Sequence, residues 1–393
     1  MNRIHAWLFA LLAAAFVLYT DDYVIAGILP ELANDLGVTE GEAGQLVTVF
    51  SVTVALAAPV AAVALARAPR RHLFAVALLV FVAANAAAAS TPSFAVLMVL
   101  RIVAAFAAAS TTPAIFAFAA RHAPAEKVGR YIAVVALGVT GSIAAGVPVG
   151  TWVGSAFGWR ATFTAMAVAG ALVLLAVFVT LPRQNGPDET PVLREQLRIL
   201  GRRPILLGLL ANCVLMTGSM MMLTYLAPYL AAATTAGVEE RALTFSLSGI
   251  AGIVGIWLGG IATDKWGADR TLLFGIGAIV ATMIALWALW AARPAPLPVV
   301  LAVATVWGGM AFWNSPAIQA RLHLLAGPVS GQALALNTSG TYLGVSIGAA
   351  LGGLALSGHG VGALPLTAAG FALGALVLLA FARQADTATH QMR

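Results

Sequence analysis

The sequence predicts an all-α polytopic membrane protein, with twelve transmembrane helices in two six-helix halves. Composition is the first observation behind this: of 393 residues, 61% are apolar and only 9% charged, with a mean hydropathy of +0.94. A soluble surface needs far more charge. The second is a succession of apolar runs, each near the ~20 residues that cross a bilayer. The third is internal repetition at a fixed offset. The same composition excludes disorder and coiled coil. The single cysteine, Cys213, excludes an intramolecular disulfide framework and a Cys-rich metal site.

Polar, Pro and Gly punctuation delimits spans near 6–30, 43–66, 73–90, 94–120, 128–155, 160–182, 205–231, 242–263, 271–292, 297–320, 333–357 and 363–382. Met1-Asn2-Arg3 ahead of an apolar run has the form of a signal peptide. No small-residue cleavage site leads into a polar chain, so 6–30 reads as the first span. The formal charge of +6 suggests no nucleic-acid partner, because the cations sit in short loops between spans. With the N-terminus inside, 17 of the 21 Lys and Arg fall on the cytoplasmic side, three (Arg160, Arg241, Arg293) fall outside and Arg101 lies within a span. That asymmetry places both termini in the cytoplasm of a cell whose plasma membrane holds the protein.

The halves are expected at 1–182 and 205–393, joined by a cytoplasmic linker at 183–204. Within it Leu193, Leu197 and Leu200 share one helical face and Arg194, Arg198 and Arg202 another. This segment is either a short amphipathic helix on the membrane surface or a plain solvated linker. Gly146-Val-Pro148-Val-Gly150, with Gly154, has its counterpart in Gly344-Val-Ser346-Ile-Gly348, with Gly352, 198 residues later. The loop from Ala66 to Arg71 matches Asp264 to Asp269 at the same offset. Two matches at one offset predict a duplicated six-span unit, its copies related by an axis along the membrane normal.

Chemistry is sought among polar residues inside spans, where an unneeded charge is costly. Asp21 and Asp22 interrupt the first span; withdrawal from water favours a carboxylate's neutral form, which suits proton uptake and release. Alternatively the pair lies at the outer interface. Arg101 interrupts the fourth span and needs a carboxylate or carbonyl partner, with Asp22 the expected one, unless it snorkels outward. Gly146, Gly150 and Gly154 share a helical face, as do Gly340, Gly344, Gly348 and Gly352, and both faces predict close helix packing. Pro148 adds a bend. Tyr23 beside the acids, and Asn212, Tyr225, Asn314, Gln319, Asn337 and Tyr342 in the second half, could line a cavity; Trp307, Phe312 and Trp313 stand near some of them. Helix–helix hydrogen bonding or an interfacial belt accounts for each equally well. Gly344-Val-Ser346-Ile-Gly348 matches a hydrolase elbow only in letters, since it sits in an apolar helical run. No His pair has metal-ligand spacing and no phosphate-cradling loop occurs, so no metal, cofactor or ATP is expected.

These motifs together resemble the major facilitator superfamily, in particular its twelve-span drug:proton antiporters, over nearly the whole chain. Gly260-Ile-Ala-Thr-Asp264-Lys265-Trp-Gly267-Ala-Asp-Arg270 is similar to the family's inner-loop gating signature. Its first-half twin is eroded, with Ala62, Ala66 and Pro69 where Gly, Asp and Gly are usual, although Arg67, Arg70 and Arg71 remain. Arg101 resembles the fourth-span Arg, with Ala105 in place of the Gly that usually follows. Gly146-Val-Pro148-Val-Gly150 is a looser form of the fifth-span antiporter motif. Thr20-Asp21-Asp22-Tyr23 through Pro30 resembles the first-span acidic motif of bacterial efflux permeases, with Asp22 at the proton-linked acid and Ala14 where some multidrug members carry a second one.

The resemblance implies a monomeric proton-coupled exporter of small, mostly apolar molecules, with protons, substrate and the bilayer as partners. Export of sugars, nucleosides or other metabolites is the alternative. A non-transporting sensor or enzyme is the remote one. The resemblance further implies that Arg101 faces the central cavity and that the cytoplasmic lock rests mainly on Asp264.

Overall fold

The computed structural model describes residues 3–65, 67–124, 127–182, 193–327 and 330–391. Among them there are helices and no strands. Twelve helices are long and apolar enough to cross a membrane: Ala6–Leu36, Glu40–Ala64, Arg70–Ser90, Phe94–His122, Arg130–Phe157, Trp159–Thr180, Arg203–Thr224, Val238–Trp266, Ala268–Ala291, Leu297–Ala326, Gln332–His359 and Ala363–Gln384. They are called spans 1–12 in that order. A spanning chain has to satisfy its backbone polar groups internally, which an apolar helix does without a partner strand.

The chain forms two compact units, Met1–Pro191 and Val192–Arg393. In the first, span 1 packs on spans 5 and 6, span 2 on span 4, and span 3 on spans 4 and 6. In the second, span 7 packs on spans 11 and 12, span 8 on span 10, and span 9 on spans 10 and 12. The two sets of neighbours are the same after a shift of six spans, as a duplicated unit requires.

Small residues make these contacts close. On span 5, a Cβ at Gly146 would strike Thr20 of span 1, one at Gly150 would strike Val24, and one at Gly154 would lie 2.7 Å from Ile28. On span 11, Gly344 and Gly348 press on Cys213 and Thr217 of span 7 and Gly352 on Tyr225 just past its end, so both glycine faces predicted from spacing are packing faces. Gly150→Val is expected to destabilise the protein by about 1–3 kcal/mol through overpacking. Gly260 faces open space, and Gly260→Ala should leave the thermal midpoint unchanged or raised. Equal midpoints for Gly150→Val and the parent would refute the packing argument.

Span 7 ends at Thr224, with a separate helix Leu226–Ala233 after it, and span 10 runs on to Ala326, against expected ends at 231 and 320. Two further departures from the sequence expectation bear on the site and the linker. Span 1 continues through Pro30 to Leu36, so Asp21 and Asp22 lie near its middle and not at an end. In the linker, 183–192 lie outside the described residues. Its helix covers only Leu193–Arg198, and a tighter turn over Ile199–Gly201 follows. That turn changes the angular register: Leu197 is half exposed, while Ile199 is buried against Ile205, Leu209, Leu322 and Ala326. The segment is anchored to the second unit through Ile199 instead of lying on Leu197.

Candidate functional site

The first-unit charges meet in the middle of the helix bundle. Leu11, Ala14, Leu18, Asp21 and Ile25 recur at intervals of three and four, so they form one buried face of span 1. Phe74 and Leu78 of span 3, Thr111 and Ile115 of span 4 and Val177 of span 6 meet Leu11, Ala14 and Leu18 around an apolar gap too small for a water molecule. One turn beyond, Arg101 of span 4 donates from Nη1 to Asp21 Oδ2 at 2.7 Å, with side-chain exposures of 2% and 0%. The guanidinium stacks over Phe50 of span 2, its carbon 4.3 Å from the ring centroid. Buried Asn85 of span 3 also faces Asp21, while its amide donates to the Phe81 carbonyl at 3.1 Å.

Arg101 therefore hydrogen-bonds to Asp21, where Asp22 was the expected partner. Consecutive residues on an α-helix point about 100° apart, so only one of the two carboxylates can enter this bundle face. Asp22 is also buried, on the adjoining face. Tyr19 and Tyr23 follow on that side of the helix, with ring centroids 6.1 Å apart. Arg101 points into its own unit and does not snorkel. Arg101 Nε and Nη2 and Asp21 Oδ1 have no hydrogen-bond partner among the described residues.

Span 5 carries the antiporter-like motif on a distorted helix. A π-helical turn, Ser142–Gly146, precedes Pro148, whose missing N–H breaks the regular ladder there. Thr162 of span 6 donates to the Gly150 carbonyl at 2.9 Å. Gly146, Pro148 and Gly150 are all buried against neighbouring helices.

The segment resembling the gating signature, Gly260 to Arg270, forms the junction between spans 8 and 9. Gly267 links them at φ +80°, a left-handed conformation that glycine adopts without steric cost. Its first-half twin, Pro69, has φ −59°, so the eroded loop turns differently. Asp264, Lys265 and Arg270 are exposed, and Asp264 makes no ion pair among the described residues of its unit. Asp269 does so instead: Oδ1 accepts from Arg321 Nε and Oδ2 forms an ion pair with Arg383 Nε, both at 3.0 Å. One carboxylate thus ties the first turn of span 9 to the ends of spans 10 and 12. Asp269→Asn should lower stability by about 1–2 kcal/mol, less than a fully buried pair because Asp269 is a third exposed. Asp264→Asn should leave the thermal midpoint unchanged; the reverse order would show that the clamp is misassigned.

The candidate cavity residues of the second half divide. Asn212 of span 7 donates to Asn337 Oδ1 at 2.9 Å and to Thr341 Oγ1 at 3.0 Å on span 11. Tyr225 donates to the Ala349 carbonyl at 2.7 Å, and fully buried Asn314 donates to the Met310 carbonyl at 3.1 Å. Gln319 donates to Ser315. Asn212 and Tyr225 thus make helix–helix hydrogen bonds, while Asn314 and Gln319 bond within their own span. Asn212 also borders a small cavity of about 20 Å³ with Arg321, Leu215, Leu272 and Leu379.

Phe50, Asn85 and Asp269 were not singled out from sequence. Asn85 was visible as a lone amide in an Ala-rich span, and Asp269 as an acid in a helix's first turn. Nothing distinguished Phe50 from other apolar residues.

The chain is 32% identical over 387 residues to a chloramphenicol resistance protein of Streptomyces lividans, covering 95% of each chain. It is 25% identical over 387 residues to a probable sugar efflux transporter of Mannheimia succiniciproducens, covering 97% of this chain and 94% of that one. Its fold matches a crystal structure of a D-xylose–proton symporter with a TM-score of 0.78 at 15% identity, over 96% of this chain and 97% of that one. The family description "Major Facilitator Superfamily" matches residues 11–327. With twelve membrane-crossing helices, two equivalently packed units and this match, the chain belongs to the Major Facilitator Superfamily of transporters.

Proposed function

We propose that this chain is a proton-coupled efflux transporter, an antiporter of small, mostly apolar molecules. In this reading it resides in the bacterial inner membrane with both termini cytoplasmic and works as a monomer. The halves 1–182 and 205–393 alternate between inward- and outward-open arrangements, and 183–204 links them. The observation that carries the reading is the ionisable cluster at the middle of spans 1 and 4: Asp21 and Arg101 paired at 2.7 Å, with buried Asp22 next on the helix. Charges at mid-span are costly, so they mark a task such as proton relay. Asp22 stands at the acid of the first-span motif and takes the proton; Arg101 couples its state to the surrounding spans. The Asn212–Asn337–Thr341 cluster offers a polar contact among apolar neighbours, and Tyr23 a further one.

The kinship to a chloramphenicol resistance protein supports export of a compact, weakly polar compound. Export of a sugar or other metabolite is favoured instead by the relative named as a sugar efflux transporter, at lower identity. Purified protein in vesicles with an imposed pH step tests both readings. Uphill movement of chloramphenicol that collapses with a protonophore is the expected result. Movement of sugars but not chloramphenicol would replace the first reading with the second, and no pH-driven flux of either would refute proton-coupled export.

A further inference from the structure

The two units treat the same place in the fold in opposite ways. In the second, a carboxylate at the start of span 9 bridges cations at the ends of spans 10 and 12: Asp269 between Arg321 and Arg383. The repeat offset of 198 residues maps Asp269 onto Arg71, at the start of span 3. At the end of span 4, where span 10 carries Arg321, stands Arg121. Arg121 is close enough to Arg70 to repel it electrostatically. Arg67, Lys127 and Arg130 are exposed at the same end of the unit. Every Asp and Glu among the described residues of this unit lies in span 1 or between spans 1 and 2 and at the start of span 2, none of them at the basic end. At the position of the second unit's bridging carboxylate the first unit thus carries a cation, Arg71.

We propose that an anionic phospholipid bridges this end of the first unit, its phosphate held by Arg71 at the start of span 3 and Arg121 at the end of span 4. Arg71 is shaped for this. Its guanidinium lies 4.1 Å over the Phe178 ring of span 6, and its buried Nε has no hydrogen-bond partner among the described residues. A guanidinium stacked on an aromatic keeps its planar fork available for a phosphate. A lipid is favoured over a free phosphate by what lies beside the site. Phe178, half exposed, begins an apolar strip with Leu175 and Val179, 61% and 72% exposed, along which acyl chains can lie. Basic pockets between helix ends on the cytoplasmic side are recognised settings for anionic headgroups.

The test compares thermal midpoints of the purified full chain in neutral detergent with added phosphatidylglycerol or phosphatidylcholine. Phosphatidylglycerol is expected to raise the midpoint by about 2–4 °C over phosphatidylcholine. Arg71→Gln with Arg121→Gln should remove that difference, whereas Arg194→Gln, an exposed cation of the other unit, should retain it. Arg71→Asp recreates the arrangement of the second unit, so its midpoint should be high in either lipid. Equal midpoints for the parent in both lipids would overturn the proposal. So would loss of the difference in Arg194→Gln, which would indicate a diffuse charge effect. Inorganic phosphate reproducing the rise in phosphatidylcholine would overturn the lipid assignment in favour of a free-anion site.

Discussion

Asp22→Asn is expected to abolish uphill efflux driven by a pH step while leaving the fold and part of the substrate affinity in place. Asparagine preserves shape and removes the proton-binding group, and no proton can then exchange at that position of span 1. Facilitated downhill flux should persist, because alternation between states does not itself require a proton to be bound at Asp22. Asp21→Asn should behave differently. It deprives the buried Arg101 of its hydrogen-bonded carboxylate, so its first effect is on stability, by about 3–5 kcal/mol as for other broken buried pairs. Transport down a gradient and against one, measured in vesicles alongside thermal unfolding, separates the two phenotypes. If Asp22→Asn still concentrates substrate and Asp21→Asn folds normally but does not, the proton role belongs to Asp21.

That distinction was not legible in the sequence, although both carboxylates and Arg101 were. An intramembrane charge declares itself by its cost, but its partner depends on the rotation of the helix about its axis. Span 1 is apolar on every side, so no periodicity reveals which face meets spans 3 and 4. The twelve spans were readable because a ~20-residue apolar run ended by polar or Gly/Pro residues is a strong signal. Pro30 misled at one boundary: inside a membrane bundle a proline can be absorbed without ending the helix. The glycine faces of spans 5 and 11 were readable because their spacing of four matches helical geometry. The clamp on Asp269 was hidden by a neighbour. The eroded twin drew attention to Asp264, opposite Ala66, whereas the informative exchange lies at the other end of the same loop, where Asp269 stands opposite Arg71.

Arg101 should prove the least replaceable cation in the chain. Its Nη1 is bound to Asp21, its plane lies on Phe50 and its exposure is 1%. Lysine can supply the charge but neither the fork nor the stacked plane. Arg101→Lys is therefore expected to fold with reduced stability and to lose most transport. Arg101→Gln leaves Asp21 buried without its cation and should destabilise by about 3–5 kcal/mol. The double variant, Asp21→Asn with Arg101→Gln, removes both charges together, and two neutral amides can hydrogen-bond across the same gap. Its stability should recover most of what either single change loses, a coupling that only a direct pair produces. Transport in the double variant should stay low, because pairing for stability and responding to a neighbouring proton are separate tasks of the same guanidinium. Thermal unfolding of the four proteins provides the cycle and vesicle flux provides the function. Additive losses of stability would show that Asp21 and Arg101 act independently. Restored uphill transport would show that the pair serves only to hold the helices together.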